Sequence, residues 1–310
     1  MMERFFSLDK YYRHLFGEKI YKISLNAGMN CPNRDGTIGR GGCIFCSEGG
    51  SGDFAGNPLL SITEQIESGK ELVKLKSNSQ KFVAYFQAFT NTYAPIEYLR
   101  KVFYEAMEHP DIVGISIATR PDCFSDSIFE LIRELSSIKP IWIELGLQTI
   151  HKTSIDFIRR GYANECFEET VRKLQEYDIP VIAHVILGLP WETKENMLQT
   201  VQYVDALNIK GIKLQLLHIL KNTDLYYHYV NHPFPILSME EYIDITISCL
   251  EIVSPDVVIH RITGDGPKEI LECPLWSTNK RMVLNSIHKE LKKRNTYQGA
   301  KKNARSINSL

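Results

Sequence analysis

Three of the seven cysteines, Cys31, Cys43 and Cys46, fall within sixteen residues, whereas Cys123, Cys166, Cys249 and Cys273 lie far apart. Thiolates are soft metal ligands, and an odd number of cysteines with one crowded group favours a metal site over disulfides. The scattered four read as small buried apolar groups. A structural zinc site wants four ligands, commonly two Cys-x-x-Cys pairs, and no second pair is present. Two readings follow. A distant Cys or His can close a zinc knuckle, or the three thiolates can hold a cluster of four irons and four sulfides, leaving one iron open to a substrate. Glycines at 36, 39, 41 and 42 let this loop wrap tightly, and its N–H groups can stabilise an anionic cluster.

The elements that must position such a loop are legible in the hydrophobic pattern. Apolar runs predict strands at Ile20 to Leu25, Lys81 to Phe86, Val113 to Ala118, Ile141 to Leu147, Val181 to Leu187, Gly211 to Leu216 and Val257 to Ile262. Helical spacing fills the gaps at Ile62 to Leu75, Ile96 to Glu108, Ser127 to Leu135, Glu165 to Tyr177, Lys194 to Leu207 and Met239 to Ile252. Strands apolar on both faces and separated by helices belong in a parallel sheet. The expected fold is therefore α/β, a partial or nearly complete parallel (βα) barrel, with an open doubly wound sheet as the competing arrangement. Either way, chemistry belongs at the C-terminal ends of the strands.

Lys213 and Arg261 are predicted on strands, where a buried cation needs an anionic partner. That partner is a substrate carboxylate or phosphate, or an internal acid such as Glu144 or Asp265. His184, His218 and His260 read as hydrogen-bonded structural residues.

The chain has 310 residues, and 44% of them are hydrophobic and 24% charged, which excludes a disordered chain. The longest nearly apolar run, Ile179 to Trp191, is too short for a bilayer, which takes about 20 residues. Met1 to Phe16 mixes charges with aromatics, unlike a secretory signal. A soluble, cytoplasmic protein is expected, without a membrane partner. From Lys280 onward there are nine Lys or Arg against one acid, so this stretch carries +8 and the rest −9. Residues 1–275 are read as one barrel domain and 276–310 as a basic C-terminal helical extension. The run Lys292, Lys293, Arg294 is the candidate contact to a polyanion, and a solvated helix face is the alternative.

Further motifs stand at the strand ends: Phe86-Gln87-Ala88-Phe89-Thr90-Asn91-Thr92, Thr119-Arg120-Pro121-Asp122, Glu144-Leu145-Gly146-Leu147-Gln148, Gly188-Leu189-Pro190 and Arg261-Ile262-Thr263-Gly264-Asp265-Gly266. Together with Cys31-Pro32-Asn33-Arg34-Asp35-Gly36 and Gly41-Gly42-Cys43-Ile44-Phe45-Cys46, their order resembles the radical S-adenosylmethionine superfamily. That family carries three close cysteines with an aromatic, here Phe45, before the last. Most members leave three residues between the first two cysteines. The eleven here resemble the Elp3-related subgroup of YhcC/YtqA type.

The resemblance implies a [4Fe-4S] cluster on Cys31, Cys43 and Cys46. Its open iron would chelate the amino and carboxylate groups of S-adenosylmethionine, and an electron would cleave the sulfonium to give a 5'-deoxyadenosyl radical. It also implies an external electron donor such as flavodoxin or ferredoxin. A Gly-Gly-Glu-like segment usually follows strand two in the family; Gln87 stands there instead, so Gln87 or the backbone replaces the glutamate contact. Glu144 and Gln148 stand where the family contacts the ribose or methionine, Arg120 where it can meet the methionine carboxylate or Glu144, and Gly188 where the backbone approaches the adenine. Both Glu144 and Gln148 can equally form a satisfied polar pair. Kinship to Elp3 implies tRNA as partner and a wobble-uridine side chain as substrate, for instance carboxymethylaminomethyl trimmed to aminomethyl. The alternatives are a small-metabolite substrate and a non-enzymatic metal-binding module. The 35 residues after the barrel domain, 276–310, are expected to leave no space for an acetyltransferase domain, and the absence of a second cysteine trio argues against methylthiolation.

Overall fold

The computed structural model describes residues 3–50, 52–264 and 266–302. Asp265, and Arg305 of the basic stretch, lie outside them. In chain order the strands are β1 (Tyr21–Leu25), β2 (Phe82–Phe86), β3 (Ile112–Thr119), β4 (Ile141–Gln148), β5 (Val181–Leu187), β6 (Gly211–Leu216), β7 (Ile219–Leu220), β8 (Val258–Arg261) and β9 (Leu271–Cys273). The helices that separate the first strands are α1 (Leu8–Phe16), α2 (Ile62–Lys74), α3 (Ile96–Glu108), α4 (Asp126–Ser136), α5 (Lys152–Phe157) and α6 (Asn164–Glu176). Four more follow: α7 (Lys194–Ala206), α8 (Asp224–Asn231), α9 (Met239–Ile252) and α10 (Lys280–Lys293).

Seven strands form one parallel sheet in the order β1-β2-β3-β4-β5-β6-β8, and β7 pairs with β9 in a small antiparallel ribbon. Sequential order is what right-handed β-then-α units produce when each strand joins the same growing edge. All seven strands of the large sheet were expected from the apolar runs. α1, α5, α8 and the β7–β9 ribbon were not, because they are short and lie outside the main alternation. Helix starts follow local chemistry. Ser238 accepts from the Glu241 N–H while the Glu241 carboxylate accepts from the Ser238 N–H, and Ser61 with Glu64 does the same.

The described residues group into two units. The cysteine-bearing unit comprises Tyr12–Gly146 and Gly161–Ile182; the other comprises Met1–Tyr11, Leu147–Arg160 and Ala183–Leu310. In the first, the Trp142 ring is packed by Tyr12 at 5.5 Å and Phe16 at 6.5 Å, and Phe86 meets Phe103 at 5.0 Å. In the second, the free edge of β8 is covered by the N-terminal segment, where the Ile259 N–H donates to the Phe6 carbonyl at 2.8 Å. Gln298 holds the chain's two ends together there: its Oε1 accepts from the Phe6 N–H, and its Nε2 donates to the Ser254 and Val257 carbonyls. No described helix is long and apolar enough to cross a membrane.

Candidate active site

The cysteine loop leaves β1 under a clamp. Gln65, almost wholly buried on α2, donates to the Asn26 and Leu60 carbonyls and accepts from the Asn26 N–H, and Tyr98 donates to the Ala27 carbonyl at 2.8 Å. The eleven residues between Cys31 and Cys43 then fold back as a hairpin. Asp35 and Arg40 form an antiparallel bridge, the Ile38 N–H donates to the Pro32 carbonyl, and the Gly42 N–H donates to the Asn33 carbonyl at 2.8 Å. Gly36, Gly41 and Gly42 adopt positive φ, between 83° and 97°, where a side chain would be strained. The long spacing thus returns Cys43 to the start of the loop, and Asn33 Nδ2 donates to Cys43 Sγ at 3.6 Å. From Cys43 a tight turn, with the Cys46 N–H donating to the Cys43 carbonyl, brings round the third thiol. The Arg34 guanidinium donates to the Cys46, Ser47 and Glu48 carbonyls and stacks over Phe89, tying the two halves of the loop together.

None of the three is in a disulfide, and all three are half-buried. Four thiolates around one zinc, at about 2.3 Å from the ion, stand roughly 3.8 Å apart. The only described His, Cys, Asp or Glu trio with ligand atoms within 4.8 Å of one another is Glu67, His109 and Asp111, so the cysteines are not drawn round a single ion. The Lys70 ammonium fills that other cluster, 2.8 Å from Glu67 and 2.5 Å from Asp111. The three thiols stand on a loop rich in N–H groups, which can stabilise an anionic group held there. The scattered cysteines differ in character. Burial pushes the Cys249 thiol up to about 12 and raises Cys123 further, so both remain protonated and unreactive.

The residues after β2 and β3 are pinned to one another. Asn91, fully buried, donates through Nδ2 to the Phe86 and Ala118 carbonyls, and Thr92 and Thr119 share a hydrogen bond of 2.6 Å. Asn91 Oδ1 is buried with no hydrogen-bond partner among the described residues. Gln87, half-buried, is held through its N–H by the Leu25 carbonyl. Phe45 is half-buried as well.

Arg120 pairs with Asp122 and not with Glu144. Its Nε and Nη2 fork onto the Asp122 carboxylate at 2.9 and 2.8 Å, and it stacks on Tyr162. Burial opposes its charge, but Asp122 outweighs burial and raises its pKa, and the interaction with Cys43 adds to the rise. Glu144, fully buried, is held by Lys22 Nζ at 2.6 Å and Ser116 Oγ at 2.7 Å. Lys22 went unread in the sequence, although a single Lys in an apolar strand and a single Glu in another are a signal for such a pair. Asn33, Arg34 and Asn91 went unread too, since their roles depend on loop closure.

In the other unit Gln148 ends β4 at φ 69°, and its Oε1 is buried without a hydrogen-bond partner among the described residues. Lys213, 4% exposed, stands opposite Arg261 in the β6–β8 register. Gly188, at φ 92°, packs so closely on Leu237 that a Cβ would lie 2.9 Å from its methyl. His218 is wrapped by Gly264 and Gly266, where a Cβ would stand 2.4 and 2.8 Å from the imidazole. Gly264 and Gly266 therefore leave room for this ring. Helix α10 buries Val283, Ile287 and Leu291, while Met282 and Leu284 are 39% and 37% exposed. Lys292 and Lys293 are exposed, and Lys293 pairs with Glu290. Arg294 is bound to Glu290 at 3.0 Å and Asp244 at 2.7 Å.

Residues 31–204 match the family model of the radical SAM superfamily, and residues 209–293 match that of the Radical_SAM C-terminal domain. The chain belongs to the radical SAM superfamily. Enzymes of this superfamily use a [4Fe-4S] cluster and S-adenosylmethionine. This radical SAM chain is 44% identical to the YtqA protein of Bacillus subtilis over 297 residues, 96% of this chain and 92% of YtqA. Its fold resembles that of the Elp3 protein of Methanocaldococcus infernus, with a TM-score of 0.68 at 17% identity, covering 90% of this chain and 64% of that one. A more distant relative is the tRNA uridine(34) acetyltransferase of Methanocaldococcus jannaschii, 24% identical over 170 residues, 54% of this chain and 31% of the relative.

Proposed function

We propose that this radical SAM enzyme holds its cluster on Cys31, Cys43 and Cys46 and modifies the side chain of a wobble uridine in tRNA, as in converting carboxymethylaminomethyl to aminomethyl. The observation that carries the cluster assignment is the folded-back hairpin, which restores the first two cysteines to one loop despite their long spacing. Held by these three cysteines, the cluster would supply the electron for reductive cleavage of the sulfonium of S-adenosylmethionine. The chain's residues bind and orient. Gln148 offers a buried acceptor for the amino or ribose hydroxyl donors of S-adenosylmethionine, and Asn91 offers another. Gln87, Arg120, Phe45 and the Gly188 backbone are the further proposed contacts to the cofactor. Lys213 and Arg261, facing one another on adjacent strands, suit a phosphate or carboxylate of the substrate. The tRNA reading draws on the name of the M. jannaschii relative and on the basic stretch after residue 279.

Anaerobically reconstituted protein should contain about four irons and release 5'-deoxyadenosine under reduction. Stoichiometric zinc with no cleavage product would overturn the cluster assignment. Mass spectrometry of tRNA nucleosides from cells lacking the gene should show a wobble-uridine precursor accumulating; an unchanged nucleoside profile counts against the tRNA substrate and favours a small metabolite.

A further inference from the structure

We propose that Asn33 sets the reduction potential of the cluster by donating a hydrogen bond from its side-chain amide to the Cys43 thiolate. This rests on the reading that Cys31, Cys43 and Cys46 hold the cluster. Asn33 is 4% exposed, and its Nδ2 lies 3.6 Å from Cys43 Sγ. The carboxamide is locked in this direction. Gly39 packs against its other side so closely that a Cβ would stand 2.4 Å from Oδ1, and the Asn33 carbonyl is held by the Gly42 N–H. Gly39 is thus needed for the amide to fit, and the amide for the hairpin to close beside Cys43.

A hydrogen bond to sulfur strengthens as negative charge on the sulfur grows. Reduction adds an electron to the cluster, so a donor on a ligating thiolate stabilises the reduced state more than the oxidised one and raises the potential. No proton is transferred; one electron enters from the external donor and leaves to the sulfonium. Arg120 also acts on Cys43, but its charge is balanced by Asp122, whereas the Asn33 amide touches the sulfur directly. Asn33 is therefore a positioning residue with an electronic effect.

Asn33→Asp keeps the side chain's shape and replaces the donor by a carboxylate, and Asn33→Leu removes the donor without adding charge. Redox titration of the anaerobic holoprotein, followed by electron paramagnetic resonance, should order the potentials as wild type, then N33L, then N33D. The expected step is roughly tenfold in the reduction equilibrium, about 59 mV for one electron. In addition, reduced wild-type protein labelled with nitrogen-15 on asparagine should show a nitrogen hyperfine coupling that N33D lacks. Equal potentials in all three proteins overturn the proposal. So does a missing coupling in the labelled wild type, which decides the matter even if both variants lose iron. Wild-type protein without a four-iron cluster would instead overturn the cluster assignment itself.

Discussion

Lys22 on β1 and Glu144 on β4 meet across the strands that separate them, with the ammonium 2.6 Å from a carboxylate oxygen that also accepts from Ser116 on β3. Tyr85 on β2, opposite Ser116 in the register, lies under the same ammonium at 4.7 Å. Four consecutive strands therefore each give one polar residue to a staggered row, in which only Tyr85 and Ser116 are directly opposite in the register. A lone charge in this apolar sheet would be expelled, and the row makes each charge the condition for the other.

Breaking this pair from one side leaves an uncompensated buried charge. Lys22→Met should destabilise the cysteine-bearing unit by about 3–5 kcal/mol, the usual penalty for orphaning one member of a buried pair. Replacing both residues by apolar ones of similar volume should recover most of that loss. Urea unfolding of the anaerobic holoprotein measures both. If K22M unfolds at the wild-type urea concentration, the row has no energetic meaning.

The seven strands of the sheet and the cysteine loop were legible because each is local: apolar runs declare strands, and clustered thiols declare a loop with ligands. What could not be read depends on distant partners. The sequence offers Arg120 the methionine carboxylate or Glu144 as a partner, but Asp122, two residues away, reaches its guanidinium, and Lys22 from the edge strand reaches Glu144. In α10 it is packing that buries Val283 and leaves its neighbours Met282 and Leu284 exposed. Gly264 and Gly266 were visible as a motif, yet their reason is the His218 ring from another strand end.

Glu192 gives a pH signature. Burial raises its pKa above the ordinary carboxylate value, although Thr149 donates to its Oε1 and opposes the rise. A carboxyl raised on folding contributes full stability below its unfolded pKa, and that contribution is lost as pH rises through the folded value. Glu192→Gln keeps an acceptor for Thr149 without the charge. Its melting temperature should match wild type at acid pH and exceed it increasingly from about pH 4.5 upward. A constant offset at every pH would show that Glu192 is not ionising in a buried setting.

Arg34 carries the loop's closure through geometry rather than charge. A guanidinium can reach three carbonyls and stack on Phe89 at once, whereas an ammonium is a point donor. Arg34→Lys should therefore lose iron to a chelator several-fold faster than wild type while the global unfolding midpoint stays nearly unchanged. Equal rates of iron loss would mean that the hairpin holds without it.

The last prediction separates two kinds of cation along α10. Arg294 is engaged by Glu290 and Asp244, and its pKa is raised because those carboxylates outweigh burial. Arg281 and Lys289 are exposed, have no acidic partner among the described residues, and line a shallow groove with Asn279, Met282, Asn285 and Ser286. A phosphate backbone would meet these two first, because Arg294 must leave two carboxylates to reach it. Arg281→Ala with Lys289→Ala should weaken tRNA binding and reduce its salt slope by about 1 for each phosphate no longer neutralised. Lys292→Ala with Lys293→Ala should act in the same direction but less strongly, since Lys293 pairs with Glu290 and Lys292 is engaged as well. Arg294→Ala should leave tRNA affinity near wild type and lower the unfolding midpoint instead. None of these changes should affect uncoupled 5'-deoxyadenosine formation, since the proposed cluster ligands all precede residue 47. Binding assays across a salt series decide it. If the Arg281 and Lys289 double variant binds tRNA with unchanged affinity and slope, the groove faces only water and the basic stretch no longer supports a tRNA substrate.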